Sequence, residues 1–92
     1  MTEHPREQPL HEGPVGDSGW LYRTGPIPGF IEFFGPAGQS ATIQALEEPI
    51  AAIEPLPGEE ESGVLVIGEE IRRPVQRSED EQWICGGTDA HG

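Results

Sequence analysis

The apolar residues of this chain fall in short runs, and a glycine or a proline bounds almost every one of them. The 92 residues include 13 Gly and 10 Pro, which indicates frequent turns. Short runs rich in aromatic and β-branched residues between such turns are typical of strands. We therefore predict a mainly β fold, either a small antiparallel β-barrel or a two-sheet sandwich, with an extended N-terminal arm and a C-terminal tail.

Six runs predict strands inside a small β domain that spans 18–75. They are 19–24, 30–34, 40–46, 49–54, 63–68 and 69–75. The run 40–46 also fits a short helical turn with Ser40 as its N-cap. Pro49 would end that helix within about two turns, so we favour a strand there.

Two of these runs also predict a position in the sheet. The run 63–68 contains four consecutive aliphatic residues, so we expect a central strand that is covered on both faces. The run 69–75 is expected at a sheet edge, because Pro74 has no amide hydrogen to donate to a neighbouring strand.

The segments that flank the predicted domain are polar. Residues 1–17 contain few aliphatic side chains and no periodic apolar face, which predicts an extended or disordered arm. Residues 76–92 predict a polar tail that carries Trp83 as an aromatic anchor. We expect Trp83 to fill a pocket in this chain or in a partner.

Charge limits the partners of the chain. Seventeen acidic residues against five basic ones give a formal charge of −12. Direct binding of nucleic acid or of an anionic membrane requires a cationic surface that the sequence does not supply. Basic protein surfaces are the favoured partners. All five basic residues are Arg, which is typical of a GC-rich genome.

The sequence indicates neither a metal site nor a catalytic site. Cys85, Asp89 and His91 lie near the C-terminus, but their spacing differs from that of zinc ligands. A Cys–His nucleophile pair needs a rigid support, whereas Gly86 and Gly87 follow the cysteine. We expect no cofactor and no enzymatic activity. The polar N-terminus and the single cysteine predict a protein without signal peptide or transmembrane segment, in the cytoplasm or in a virion.

The candidate binding residues are aromatic and acidic. In the run 30–34 a two-residue period sends Phe30, Glu32 and Phe34 to one face of a strand and Ile31 and Phe33 to the other, so apolar side chains occupy both faces. The candidates for partner binding are Trp20, Tyr22, Phe33, Phe34, Trp83, Glu59, Glu60 and Glu61.

Three functions fit these features. The first is a non-enzymatic accessory or structural subunit that binds protein partners or copies of itself in a larger assembly, such as a virion or a multiprotein complex. The second is an acidic inhibitor or regulator that occupies a basic site on a cationic protein. The third is a modified-peptide precursor that is processed in its C-terminal Cys-Gly-Gly segment.

Overall fold

A computed structural model describes residues 10–86 and places eight strands in them. The strands are β1 (Glu12–Pro14), β2 (Leu21–Thr24), β3 (Phe30–Phe34), β4 (Ser40–Gln44), β5 (Ala52–Pro55), β6 (Gly63–Ile67), β7 (Arg72–Arg77) and β8 (Trp83–Cys85). The described residues contain no helix, so the predicted mainly β class is confirmed. Within the run 40–46, Ser40–Gln44 forms a strand, and no helical turn is present there.

The strands form two four-stranded antiparallel sheets, and each sheet follows chain order. The first sheet has the order β1-β2-β3-β4, and the second has the order β5-β6-β7-β8. Within each sheet, consecutive strands therefore pair with each other, which allows short connecting turns. In residues 10–86 no hydrogen-bonded ladder joins the two sheets, and no closed barrel is formed.

The predicted two-residue alternation in β3 is confirmed. Ile31 and Phe33 are completely buried on the inner face of the first sheet, and Phe30, Glu32 and Phe34 are half-buried on the outer face. Opposite Ile31 and Phe33, Ile43 and Ala41 of β4 also pack against the core. The inner face of the first sheet is therefore apolar in β3 and β4, while β2 adds Tyr22 and the buried Thr24 to it.

Both sheets contribute to a single apolar core. Its buried members are Val15, Trp20, Ile31, Phe33, Ala45, Leu46, Ile50, Val64, Val66, Val75 and Trp83. The rings of Phe33 and Trp83 stack with their centroids 3.8 Å apart and their planes 3° from parallel. Trp20 meets Trp83 edge-on at 5.4 Å. Three aromatic rings thus connect the two sheets at the centre of the core.

Strands also form in the two segments that the sequence predicts to be arm and tail. β1 lies within 1–17, and the following Val15 is fully buried; β8 lies within 76–92 and places Trp83 in the core. Each of these strands has three residues, which is too short to show a periodic pattern. The rest of the predicted arm and tail, 1–9 and 87–92, lies outside the described residues.

The prediction that the run 69–75 forms a sheet edge is wrong. β7 lies between β6 and β8. The Pro74 carbonyl accepts a hydrogen bond from the Gly86 amide at 2.7 Å, just beyond the last β8 pair, Val75 with Cys85. The amide and carbonyl of one strand residue point to the same side. The Pro74 nitrogen, which has no hydrogen to donate, therefore points toward the place where the ladder between β7 and β8 ends. An interior strand therefore tolerates the proline.

The prediction for the run 63–68 is confirmed in one respect and wrong in another. β6 is an interior strand with β5 and β7 on its two sides. Its inner residues Val64 and Val66 are buried, but Leu65 and Ile67 on the outer face are only half-buried. A continuous aliphatic run does not show which face remains open to solvent.

The sheet edges meet in two places. β4 lies beside β8, and the Cys85 thiol points to the Gln44 carbonyl at 3.7 Å. On the other side, β1 and β5 line a common cavity through Pro14 and Pro55. Proline in an edge strand removes an amide donor and hinders pairing with a further strand.

Gly29 connects the turn before β3 to the segment that follows β4. Its carbonyl accepts hydrogen bonds from the amides of Ala45 at 2.7 Å and Leu46 at 3.2 Å. Its φ is +83°, and a Cβ atom there would collide with the Leu46 carbonyl oxygen. Gly38 has a similar φ of +88° but open space around it.

Gly29→Ala and Gly38→Ala are therefore a matched pair. Both substitutions strain the left-handed backbone, which costs on the order of 1 kcal/mol. We expect Gly29→Ala to lower the free energy of unfolding by a further 1 to 3 kcal/mol, roughly, because of the collision. Urea denaturation of both variants measures the difference. Equal losses would contradict the close approach of Gly29 to Leu46.

Trp83 and Ile84 are adjacent in β8 and face opposite sides, with exposed fractions of 8% and 54%. We expect Trp83→Ala to lower the free energy of unfolding by about 3 to 5 kcal/mol, since it removes the ring that joins the sheets. Ile84→Ala is the control and should change it by about 0.5 kcal/mol or less. If Trp83→Ala does not fold, Trp83→Phe, which keeps a ring, should fold with a smaller loss. A Trp83→Ala variant as stable as the control would argue against Trp83 as a core residue.

Candidate protein-binding surface

Three of the predicted binding residues lie in the core. Trp20, Phe33 and Trp83 are at least nine-tenths buried by the chain itself. For Trp83 this corresponds to the intramolecular pocket that the sequence allows as one alternative. A partner would reach these rings only if the core opened.

Tyr22 and Phe34 line a hollow on the first sheet. The hollow has a volume of about 270 Å³. Its lining consists of Glu12, Gly13, Pro14, Leu21, Tyr22, Arg23 and Phe34. The Arg23 guanidinium lies 5.1 Å from the centre of the Phe34 ring and 3.4 Å from a carboxylate oxygen of Glu32. Arg23 therefore covers part of the apolar surface on this face.

Glu59, Glu60 and Glu61 are exposed in the turn between β5 and β6, here named the acidic loop (58–62). Backbone hydrogen bonds shape this loop: the Glu59 amide donates to Leu56 at 2.9 Å, and the Ser62 amide donates to Glu59 at 3.0 Å. The Gln76 side-chain amide donates to the Glu59 carboxylate at 2.7 Å. The acidic loop thus has a fixed backbone, and Glu59 is tied to β7.

A larger groove lies on the outer face of the second sheet, here named the second-sheet groove. Its volume is about 730 Å³. It is lined by Leu56, Pro57, Leu65, Ile67, Gly68, Glu69, Glu70, Ile71, Arg72 and Pro74. Leu65 and Pro74 are direct cross-strand partners, as are Ile67 and Arg72. The floor is therefore built from paired strands, and four of the ten lining residues are leucine or isoleucine.

Hydrogen bonds to Glu48 fix the wall of this groove that contains Glu70 and Ile71. The Glu48 carboxylate accepts hydrogen bonds from the amides of Glu70 at 2.8 Å and Ile71 at 3.2 Å. These bonds fix the turn between β6 and β7. The side chains of Glu69 and Glu70 are exposed, and Arg72 is the basic residue among those that line the groove.

Sequence reasoning missed the floor of the groove. Leu65 and Ile67 lie in the aliphatic run that predicts a strand covered on both faces. A signal was present nonetheless, because Glu54 and Pro74, the cross-strand neighbours of Leu65, are residue types that seldom lie in a core. The register that brings them beside Leu65 becomes visible only in the folded sheet.

Cys85 has the properties of an unactivated thiol. Burial raises its pKa, although the Arg73 guanidinium opposes this shift. Arg73 also donates a hydrogen bond to the Ala45 carbonyl at 3.4 Å. A thiol with a raised pKa is a weak nucleophile at neutral pH.

Residues 10–86 contain no group of three or more His, Cys, Asp or Glu side chains that is arranged to hold a metal ion. Asp89 and His91 of the candidate metal set lie outside these residues. In the same part of the chain, no helix has the length and apolar character needed to cross a bilayer.

Comparison with known proteins identifies no relative from which a function could be inferred. No protein-family model, no curated protein and no solved structure matches the chain. The functional argument therefore rests on the surfaces described above.

Tyr22 is the single tyrosine of the sequence, so tyrosinate absorbance reports on it directly. Burial raises the pKa of its hydroxyl. We expect a spectrophotometric titration to give a higher pKa in the folded protein than in urea. The contribution of the neutral hydroxyl to stability is full below the unfolded pKa and is lost as the pH rises through the folded pKa. Identical titration curves in both states would contradict the burial of this hydroxyl.

Proposed function

We propose that this protein is a non-enzymatic accessory or structural subunit that binds a protein partner in a larger assembly through the second-sheet groove. One observation carries the proposal: the groove is lined by the half-buried aliphatic side chains of Leu65 and Ile67 on the interior strand β6. An open apolar surface on a rigid support is typical of a protein interaction site. A virion or a multiprotein complex is an assembly of the proposed kind.

The sheet edges support binding by a face rather than by strand addition. A partner that adds a strand needs a free edge with paired donors and acceptors. Here β4 and β8 lie against each other, and the other two edge strands, β1 and β5, contain Pro14 and Pro55. The outer faces remain as the larger accessible surfaces.

The arrangement of the edges also supports the sandwich form of the expected fold. The two sheets share one core through their inner faces, while the ladder between them that a barrel needs is missing in residues 10–86. We therefore propose two packed sheets, each presenting an independent outer face to solvent.

A second candidate is the acidic inhibitor or regulator of a cationic protein. The observation that favours it is the fixed backbone of the acidic loop, which holds Glu59, Glu60 and Glu61 together at one position. Carboxylates held in place bind a cationic site at a smaller entropic cost than a mobile tail does. The third function, a modified-peptide precursor, depends on the C-terminal segment 85–92, of which 87–92 lie outside the described residues.

A quantitative affinity purification from lysate of the natural host tests the proposal. Leu65→Thr removes apolar area from the groove floor and introduces a β-branched residue, which is well tolerated in a strand. Leu21→Thr makes the same change on the outer face of the first sheet, where Leu21 is 51% exposed. We expect Leu65→Thr to reduce the recovery of specific partners about tenfold, corresponding to about 1.4 kcal/mol, and Leu21→Thr to leave it nearly unchanged.

The same experiment separates the alternatives. Partners retained by Leu65→Thr but lost with Leu21→Thr would move the site to the first sheet and overturn the proposal. Partners lost with E59Q/E60Q/E61Q, retained by Leu65→Thr and displaced by salt would favour the acidic regulator. Thermal denaturation of each variant tests whether it remains folded, so that a loss of binding can be assigned to the changed surface.

A further inference from the structure

Glu48 lies in the segment that connects the two sheets, here named the linker (45–51). The linker follows β4 and precedes β5. Its residues Leu46 and Ile50 are buried in the core that both sheets share, and the Glu48 side chain between them is half-buried. The backbone on either side of Glu48 is therefore fixed by core packing.

Hydrogen bonds attach the linker to both sheets. At its start, the amides of Ala45 and Leu46 donate to the carbonyl of Gly29, in the turn before β3. At its end, the Ala51 amide donates to the Ile67 carbonyl of β6 at 2.7 Å. Glu48 thus lies between an attachment to the first sheet and an attachment to the second.

The turn between β6 and β7, here named the groove turn (68–71), is the part of the second-sheet groove that Glu48 contacts. All four of its residues line the groove. The Gly68 amide donates to the Ile71 carbonyl at 2.7 Å and closes the turn. Glu69 and Glu70 are exposed, so the packing of their side chains contributes little to fixing the turn.

The Glu48 carboxylate supplies contacts that side-chain packing does not. Its Oε2 atom accepts hydrogen bonds from the amides of Glu70 at 2.8 Å and Ile71 at 3.2 Å. Consecutive amides that point to one oxygen form a concave site for negative charge, and hydrogen bonds to a charged acceptor are stronger than neutral ones. The carboxylate also lies so close to Gly68 that a Cβ atom there would collide with it. Glu48 therefore contacts three of the four residues of the groove turn.

We propose that Glu48 is a positioning residue of the second-sheet groove. Its carboxylate holds the groove turn in the conformation that binds the partner. Because Glu48 belongs to the linker, the shape of the groove depends on the packing of the first sheet. The partner then meets a wall that is already ordered, which lowers the entropic cost of binding. This inference rests on the proposed function, because it concerns the same groove.

Amide hydrogen exchange in the full chain, followed by NMR, measures how firmly the groove turn is held. Glu48→Ala removes the acceptor, Glu48→Gln keeps an acceptor oxygen without the charge, and Glu47→Ala removes an equal charge from the exposed neighbouring residue. We expect Glu48→Ala to speed the exchange of the Glu70 and Ile71 amides about tenfold, Glu48→Gln about threefold and Glu47→Ala not at all. If Glu48→Ala does not fold, Glu48→Gln against Glu47→Ala makes the same comparison.

The dependence on the first sheet is tested with the pair Gly29→Ala and Gly38→Ala. Both glycines lie in turns of the first sheet. A Cβ atom at Gly29 collides with the Leu46 carbonyl, two residues before Glu48, whereas a Cβ atom at Gly38 meets open space. We expect Gly29→Ala to speed the exchange of the two groove-turn amides about threefold and Gly38→Ala to leave it nearly unchanged.

Partner recovery in the affinity purification connects the groove turn to binding. Glu48→Ala should reduce the recovery of the partners that depend on Leu65 about threefold, because the released turn has to be ordered on binding. Glu48→Gln should reduce this recovery less. Glu47→Ala should not reduce it, although the change in net charge is the same.

Four results would overturn the inference. The first is unchanged exchange of the groove-turn amides in Glu48→Ala. The second is an equal increase at the amides of Val64 and Val66 in β6, which would indicate a global loss of stability. The third is an equal effect of Gly29→Ala and Gly38→Ala on the groove turn. The fourth is full partner recovery by a Glu48→Ala variant whose groove turn exchanges faster.

The failure of this inference and the failure of the proposed function give different results. If Leu65→Thr loses the partners and Glu48→Ala retains them, the groove binds the partner but Glu48 does not position it. If Leu65→Thr retains the partners, the proposed function fails, whatever the exchange rates of the groove turn are.

Discussion

The stack of Phe33 on Trp83 is the contact on which the rest of the structure depends. One ring comes from the first sheet and the other from the second, and Trp20 closes the cluster from the side. Each sheet alone has an apolar inner face that water would destabilise. Arg77 lies 5.7 Å and 6.0 Å from the centres of the Trp20 and Trp83 rings and covers the cluster on its outer side. The two outer faces keep their positions because this cluster holds the sheets together.

Much of the strand pattern could be predicted from the sequence, because turn residues bound the runs. β3 has the predicted bounds, and the face of each of its side chains follows from the two-residue period. β1 and β8 could not be predicted in this way, because a strand of three residues shows no two-residue period. They are strands because they pair with β2 and β7. The interior position of β7 depends on β8 in the same way. An unrecognised short strand therefore leads to a wrong assignment of its neighbour.

The candidate surface was less accessible to sequence reasoning than the fold. Aromatic residues are the usual candidates for binding, yet Trp20, Phe33 and Trp83 serve the core, and aliphatic residues of β6 form the groove. The cavity shared by β1 and β5 combines residues from Pro14 to Val64, which only the packing of the two sheets brings together.

The order of the strands has a consequence for synthesis on the ribosome. Each sheet uses a continuous half of the chain, so the first sheet can pair its strands once Gln44 has emerged. Its inner face is then uncovered. The ring that stacks on Phe33 belongs to Trp83, which lies 50 residues later in the sequence and has not yet been synthesised. During that interval the nascent chain carries an open hydrophobic sheet. A protein that binds this face before translation ends would protect the nascent chain from aggregation.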